Sequence, residues 1–241
     1  ELFTINEIDG LTSVGSPHQR ELKGIGKRKV KTFRTLDKKQ LKNLVAKTIG
    51  GTLENIGLDE NWTITKDFFP NVKIHVIYFY YGDGFGSNEI DQLKFLFSDE
   101  RVQWIPGEDL ADFIVAMMNY AKRVIINKKP FESSKDIQSQ MLKNAIDDRI
   151  SSFNYIADED IPNIAEFIGG TFIKHKDFWE LNKEIFPEIT IRIKYTKNHE
   201  LIANILGEKS DMLENYEKDV LRILIINHIL RYIIIKNDER E

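Results

Sequence analysis

Apolar residues recur at helical spacing in the segment that begins at residue 37. Four of them fall on one helix face: Leu41, Leu44, Val45 and Ile49. Asp37 is a suitable N-cap, and the pair Gly50-Gly51 allows the left-handed turn that commonly ends a helix. The pattern therefore predicts a helix over 37–49 and a sharp turn directly after it.

The residues that follow favour strands. Both faces of 72–81 (VKIHVIYFYY) are largely apolar, which predicts a central strand covered on both sides. Further strands are predicted on either side of it, at 52–58, 62–68, 92–97 and 102–105. An apolar stripe then predicts a helix over 108–126.

The N-terminal segment has a weaker pattern. Leu2, Phe3, Ile5 and Ile8 predict a strand, and 11–19 is rich in Ser, Gly and Pro, as loops are. The segment 24–33 (GIGKRKVKTF) alternates weakly and is interpreted as a second strand. Lys27, Lys29 and Lys31 would then line one face of that strand.

The order of elements recurs in the second half of the chain. IGGT appears at 49–52 and at 168–171, Phe69-Pro70 matches Phe186-Pro187, and both copies end in a long apolar helix. We therefore predict an α+β fold made of two copies of a helix–antiparallel strands–helix unit that form a pseudo-two-fold pair. The predicted boundaries are 1–36 for N-terminal strands with a basic arm, 37–130 for the first repeat, 131–157 for a bridging helix capped by Ser134, and 158–241 for the second repeat.

Four short motifs resemble an uncharacterised prokaryotic family of unknown function. They are IGGT (49–52), FFPNVKIHVIYFYYGD (68–83), FLFSD (95–99) and the helix start EDLADF (108–113). The resemblance covers roughly 35–127 and, more faintly, 158–236. The family occurs mainly in anaerobic bacteria and archaea, often near corrinoid or iron–sulfur proteins. The resemblance implies a setting in anaerobic metabolism and no established reaction.

The chain departs from that family in two ways. The family tends to have acidic residues directly after the Gly-Asp turn, whereas Gly82-Asp83 is followed here by Gly84-Phe85-Gly86. Some members carry cysteine-rich extensions, and this sequence has no cysteine.

The charge is distributed unevenly along the chain. The formal net charge is −4, yet residues 20–39 carry nine Lys or Arg against two acids, a net +7, so that the remainder carries −11. The candidate anion-binding residues are Lys27, Arg28, Lys29, Lys31 and Arg34, with Phe33 nearby. A sequence pI near 5.8 is unusual for a dedicated nucleic-acid binder, so docking of this segment on an acidic surface is the competing interpretation.

The glycine-rich segment GDGFG is the candidate ligand-binding loop. Its backbone N–H groups could hold a phosphate, although it matches neither a Walker loop nor a complete Gly-x-Gly-x-x-Gly. The candidate residues are Gly82, Asp83 and Gly84, together with Glu108. Glu108-Asp109 and 158–160 are also explained as acids at the positive ends of helices.

Several classes of site lack their residues in this sequence. Without cysteine there is no disulfide, thiolate zinc site or cysteine nucleophile, and the five histidines show no metal-ligand spacing. We therefore expect no metal and no cofactor. The apolar segment 220–235 is interrupted by Arg222, Asn227, His228 and Arg231, which predicts a buried helix and no membrane span.

These observations predict a cytoplasmic, non-catalytic accessory or regulatory protein that binds a protein or a small ligand in a cleft between the repeats. The first alternative is a nucleic-acid-binding protein that uses the basic arm. The second is an enzyme with a site near Asp83. Homo-oligomerisation is left open.

Overall fold

A computed structural model describes residues 1–11, 15–82, 91–131 and 138–238 of the chain. The fold is α+β with antiparallel sheets, as predicted. The chain divides into two compact units, Glu1–Lys128 and Lys129–Glu241. Residues 1–36 thus belong to the same unit as the first predicted repeat, and the other predicted boundaries stay predictions.

Unit 1 begins with a short strand and a group of helices. These elements are β1 (Leu2–Phe3), α1 (Ile5–Ile8), α2 (Pro17–Arg34) and α3 (Lys38–Leu44), and α3 continues as a wider helical turn over Val45–Ile49. The remaining elements are β2 (Thr52–Glu54), β3 (Trp62–Phe69), β4 (Val72–Phe79), β5 (Gln92–Ser98), a 3-10 turn (Val102–Trp104) and α4 (Gly107–Ile125).

The unit 1 sheet has the strand order β1-β5-β4-β3-β2, and its hydrogen-bonded neighbours are antiparallel. Ile64, Val76 and Phe97 on its strands are fully buried. α2 packs against α4 and β5, and the rings of Phe68 and Phe113 stack 4.0 Å apart between β3 and α4. The sheet and these two helices therefore enclose the core of this unit.

Unit 2 is built from similar elements in a similar order. They are α5 (Gln140–Phe153), α6 (Ile161–Ile168), β6 (Thr171–Lys174), β7 (Phe178–Phe186), β8 (Ile189–Thr196), β9 (Leu201–Leu206), a 3-10 turn (Glu208–Met212) and α7 (Asn215–Asp238). The sheet order is β6-β7-β8-β9. α7 packs against α5, α6, β8 and β9. Within the described residues, no helix is long and apolar enough to cross a membrane.

The turn after the first helix of the repeat has the same geometry in both units. Gly50 and Gly169 both adopt the left-handed conformation, with φ of 72° and 66°. The carbonyl of Gly50 accepts a hydrogen bond from Lys66 Nζ at 3.1 Å, and that of Gly169 accepts one from Lys183 Nζ at 3.1 Å. Each pair of glycines thus lets the chain pass directly from a helix into an edge strand.

The hairpin that follows is also built in the same way. The register of β3 with β4 shifts between Asp67 and Phe69, and that of β7 with β8 shifts between Glu184 and Phe186. In each hairpin the bulge directly precedes the Phe-Pro pair that was matched in the sequence. Element order, strand order, turn and bulge therefore agree between 38–125 and 161–238.

Several local predictions are wrong. The N-terminal segment forms a strand only at Leu2–Phe3, and Ile5 and Ile8 lie in helix α1. Residues 24–33 lie inside α2 instead of forming a strand, and the predicted strand at 102–105 is mainly a 3-10 turn. The helix of 131–157 begins only at Gln140 and is capped by Ser139, whereas Ser134 lies outside the described residues. In each case local sequence could not decide between competing conformations, because burial against the rest of the unit sets the outcome.

Candidate anion-binding surface

Helix α2 carries most of the predicted anion-binding residues. It starts because Ser16 Oγ accepts a hydrogen bond from Gln19 N at 3.0 Å and because Pro17 takes the first helical position. Its buried apolar residues recur every three to five positions: Leu22, Ile25, Val30 and Phe33. This periodicity turns one side of the helix towards the core and leaves the other side to solvent.

The solvent side of α2 is mostly basic, and Glu21 is the exposed acid on this helix. Five exposed cations follow one another at spacings of three and four residues, which places them on one helix face: Arg20, Lys23, Lys27, Lys31 and Arg34. We call these five residues the basic face. It extends about 21 Å along the helix, at 1.5 Å per residue. Arg28 is also exposed and lies at the margin of this face.

Within the described part of the chain, most of these cations have no acidic partner. Among the described residues, no carboxylate lies within 4 Å of the side-chain nitrogens of Arg20, Lys23, Lys27, Arg28 or Lys31. A helix surface that is merely solvated usually carries both signs of charge, with acids three or four residues from the lysines. The basic face therefore has positive charge that the neighbouring protein leaves uncompensated.

Helix α3 adds to this positive charge. Lys38, Lys39 and Lys42 are exposed on it. Its only acidic neighbour at the start, Asp37, is the N-cap, and its carboxylate accepts a hydrogen bond from Gln40 N at 2.7 Å. Asp37 is thus engaged by its own helix.

An aromatic side chain lies at the C-terminal end of the basic face. The guanidinium carbon of Arg34 lies 5.3 Å from the centre of the Tyr80 ring, and Tyr80 is 41% exposed. Arg34 is also paired with Asp91, Nε to Oδ2, at 3.4 Å, and the same carboxylate accepts a hydrogen bond from the Tyr78 hydroxyl at 2.9 Å. Arg34 is therefore held in place next to a ring that solvent can reach.

Two residues of the predicted anion site do not belong to this surface. Lys29 lies on the buried side of α2, is 8% exposed, and donates a hydrogen bond to Asn119 Oδ1 on α4 at 2.5 Å. Phe33 is 1% exposed and part of the core. The expectation that Lys27, Lys29 and Lys31 share one face is wrong, because it assumed a strand and the segment is a helix. Sequence reasoning missed Tyr80, which is distant in the chain.

Only two of the four predicted ligand-binding residues, Gly82 and Glu108, fall within the described part of the chain. Asp83 and Gly84 lie outside the described residues, and Gly82 follows the C-terminal end of β4. Glu108 is exposed in the first turn of α4. Gly82 follows β4, whose last residue Phe79 pairs with Gln92 at the start of β5. Glu108 instead comes after the other end of β5, where Ser98 pairs with Lys73.

The start of α4 is instead an acidic region. Asp112 is partly buried, and its pKa is raised to about 6 by burial and by the neighbouring carboxylates of Glu21, Glu108 and Asp109. His18 opposes this effect, and its Nδ1 lies 3.0 Å from Asp9 Oδ2. Among the residues that the structure describes, no group of three or more His, Asp or Glu side chains is arranged to hold a metal ion.

His75 is a buried histidine with both ring nitrogens engaged. Nδ1 lies 2.8 Å from Thr65 Oγ1 and Nε2 lies 2.9 Å from Ser98 Oγ. Its side chain is 4% exposed, and burial lowers its pKa, so it stays neutral at pH 7. These contacts fix His75 within the sheet as a structural polar residue.

Comparisons of the chain with protein-family models, curated proteins and solved structures gave no match. The resemblance stated above therefore stays a prediction, and a functional assignment has to rest on the geometry of the chain itself.

Proposed function

We propose that this is a non-catalytic binding protein that holds the phosphate backbone of nucleic acid along the exposed surfaces of α2 and α3. The observation that carries the proposal is the basic face, with five regularly spaced cations of which only Arg34 has a carboxylate within 4 Å among the described residues. Backbone phosphates are the ligands that neutralise such a row of cations, and release of their counterions drives the association.

The dimensions of the basic face suit a nucleic-acid backbone. A row of about 21 Å spans roughly six phosphates of one strand of a duplex, at 3.4 Å per phosphate. Tyr80, held beside Arg34, supplies one ring on which an unpaired base could stack. Among the described residues, the basic face is built from cations and adjoins the Tyr80 ring, which favours recognition by charge over recognition of base sequence.

The placement of these cations distinguishes this proposal from two interpretations of the sequence. If the basic segment docked on the acidic part of the same chain, its cations would form ion pairs with carboxylates there. Within the described part of the chain, the four cations of the basic face other than Arg34 form no such pair. A protein partner with an acidic surface is the second candidate, because it would meet the same charges. The length of the row and its even spacing favour the phosphate backbone.

We also propose that the two units arose by duplication of one helix–strands–helix unit. The support is the shared element order, the paired glycine turns and the bulge at the same point of each hairpin. The pseudo-two-fold pairing of the copies stays a prediction from the sequence.

The salt dependence of binding tests the proposed function. Replacing Lys23, Lys27 and Lys31 together with glutamine removes three exposed charges while keeping side chains of similar helix propensity. We expect the slope of log K against log salt to become less steep by about 2 on a single strand and by about 3 on a duplex. Fluorescence anisotropy with a labelled single strand and a labelled duplex, over a range of salt concentrations, measures both slopes.

A matched variant controls for the loss of net charge. Lys94, Lys129 and Lys143 are exposed lysines outside α2 and α3, and replacing all three with glutamine changes the net charge equally. We expect this control to keep the slope of the unaltered protein. Equal slopes for both triple variants, or no salt-dependent binding to either nucleic acid at low ionic strength, would rule out the basic face as a phosphate-binding surface.

A further inference from the structure

Unit 2 contains a pocket of about 240 Å³ at one end of its sheet. It lies where β6 ends, β7 begins and β8 ends, next to the segment that follows α5. Its lining combines three aromatic rings, from Phe178, Trp179 and Tyr195, with three lysines. The residues that line it all belong to unit 2.

The aromatic side of the pocket is rigidly held. The rings of Trp179 and Tyr195 lie 5.5 Å apart, and the ring of Phe153 packs 6.2 Å and 5.5 Å from them. The Tyr195 hydroxyl donates a hydrogen bond to Asn154 Oδ1 at 2.6 Å and lies 2.9 Å from His199 Nδ1. These contacts keep the aromatic side chains in one arrangement, so ligand binding would lose little free energy in ordering them.

The lining of the pocket also carries positive charge, from Lys174, Lys176 and Lys197. Lys174 is paired with Asp158 at 2.8 Å, which lowers the pKa of that carboxyl group. Within the part of the chain that the structure describes, no carboxylate lies within 4 Å of Lys176 Nζ or Lys197 Nζ. Lys197 also acts on Asp158 through its charge, but the single carboxylate of Asp158 offsets only one of the three lysines, so the lining keeps an excess of positive charge.

The volume limits the size of a ligand. A cavity of about 150 Å³ holds a benzene molecule. At 240 Å³ the pocket has room for one such ring and for a substituent of a few atoms, and because it is open to solvent, the remainder of a larger ligand can extend out of it. A lining that combines aromatic rings with lysines matches a flat ring that carries a negative group at its edge.

We propose that this pocket binds a single aromatic or heterocyclic ring that carries a phosphate or a carboxylate. The ring packs against Trp179 and Tyr195, and the anionic group lies between Lys176 and Lys197. This inference is independent of the proposed function, because it rests on other residues in the other unit. The same chemistry occurs in a free aromatic acid or ester, in a pyrimidine mononucleotide, and in an unpaired nucleotide of a strand.

Isothermal titration calorimetry of the full chain tests the pocket with defined probes. We expect phenyl phosphate, benzoate and uridine monophosphate to bind with Kd of roughly 0.1–1 mM, as ligands of this size do at ordinary efficiency. Inorganic phosphate lacks the ring and benzamide lacks the charge, so both are expected to bind at least about tenfold more weakly.

Two variants assign the binding to the pocket. Replacing Lys176 and Lys197 with glutamine is expected to weaken phenyl phosphate at least about tenfold, because two charge-assisted contacts are lost. Replacing Lys129 and Lys143 with glutamine changes the net charge equally and is expected to leave Kd unchanged. Circular dichroism checks that both double variants fold, and Trp179→Phe, which keeps a ring, is expected to weaken the ring probes without affecting inorganic phosphate.

Measurements on the variant in which Lys23, Lys27 and Lys31 are replaced with glutamine distinguish the possible sources of the ligand. In this variant the binding of a strand to the basic face is weakened, so binding at the pocket can be measured separately. If uridine monophosphate and a short single-stranded oligouridylate both bind, and both bind more weakly when Lys176 and Lys197 are replaced, the pocket accepts a nucleotide within a strand. Binding of the monophosphate or phenyl phosphate alone would assign it to a free small molecule. The proposal fails if no probe binds, if inorganic phosphate binds as tightly as phenyl phosphate, or if both lysine pairs have the same effect.

Discussion

Replacing Gly51 with alanine is expected to lower the free energy of unfolding by about 2–3 kcal/mol or more, the cost of forcing extra atoms into a packed site. A Cβ atom at this position would lie 2.3 Å from the carbonyl oxygen of Thr65, which is far inside van der Waals contact. Thr65 lies in the middle of β3 and is paired on both sides, with Thr52 and His75, so the strand cannot move away without breaking its register. Urea denaturation followed by circular dichroism measures the loss.

Gly170→Ala is the matching change in unit 2, and its expected cost is similar. There a Cβ atom would lie 2.4 Å from the carbonyl oxygen of Asn182, the partner of Thr171 in β6. Gly10→Ala serves as the control, because no atom lies within 4 Å of the added Cβ and only the positive φ of 68° is unfavourable. Equal costs for Gly10→Ala and for both other changes would show that the close approach is not what requires glycine, and would weaken the proposed duplication.

Asp112→Asn is expected to stabilise the protein at pH 8 and to have little effect at pH 3.5. The pKa of Asp112 is raised from its ordinary value of 3.8 to about 6, first by burial and then by Glu21, Glu108 and Asp109. Between these two values the folded state binds more protons than the unfolded state, so the stability falls as the pH rises through this window. Above pH 6 the ionised carboxylate costs at most about 3 kcal/mol, and less because water partly screens it.

The measurement is the free energy of unfolding of Asp112→Asn relative to the unaltered protein at both pH values. We expect a gain of about 1–3 kcal/mol at pH 8, where asparagine removes the charge penalty. Glu100→Gln removes one acid at an exposed position of the same unit and is expected to change stability by less than about 0.5 kcal/mol. A gain that is the same at pH 3.5 and pH 8 would contradict the assignment to Asp112 ionisation.

Much of the architecture follows from short-range features of the sequence. The helix at 108–126 appears as Gly107–Ile125, and the predicted central strand contains Val72–Phe79. Their apolar residues lie at one periodicity over many residues, and a proline or a glycine pair marks their ends. These signals arise within a few residues of each other, so they are readable without knowledge of the partners.

The candidate site was only partly accessible in this way. The excess of positive charge at 20–39 is a property of composition and was visible directly. Which lysines face solvent depends on whether 24–33 is a helix or a strand. The segment contains two glycines and few apolar residues, so its sequence pattern did not indicate a helix. The cations at 20, 23, 27, 31 and 34 do have helical spacing, and that signal could have identified the face.

The sequence by itself determined the location of the positive charge, the glycine turns and the lack of cysteine chemistry, because these depend on residue identity and near neighbours. Only the tertiary structure decided that Lys29 is buried against Asn119 while Lys27 and Lys31 are exposed. It also placed Tyr80 beside Arg34, and it assembled the pocket from segments as far apart as Ile156 and Lys197. Contacts between distant segments form only when the hydrophobic faces of helices and sheets bury each other, and no local pattern records which segments then become neighbours.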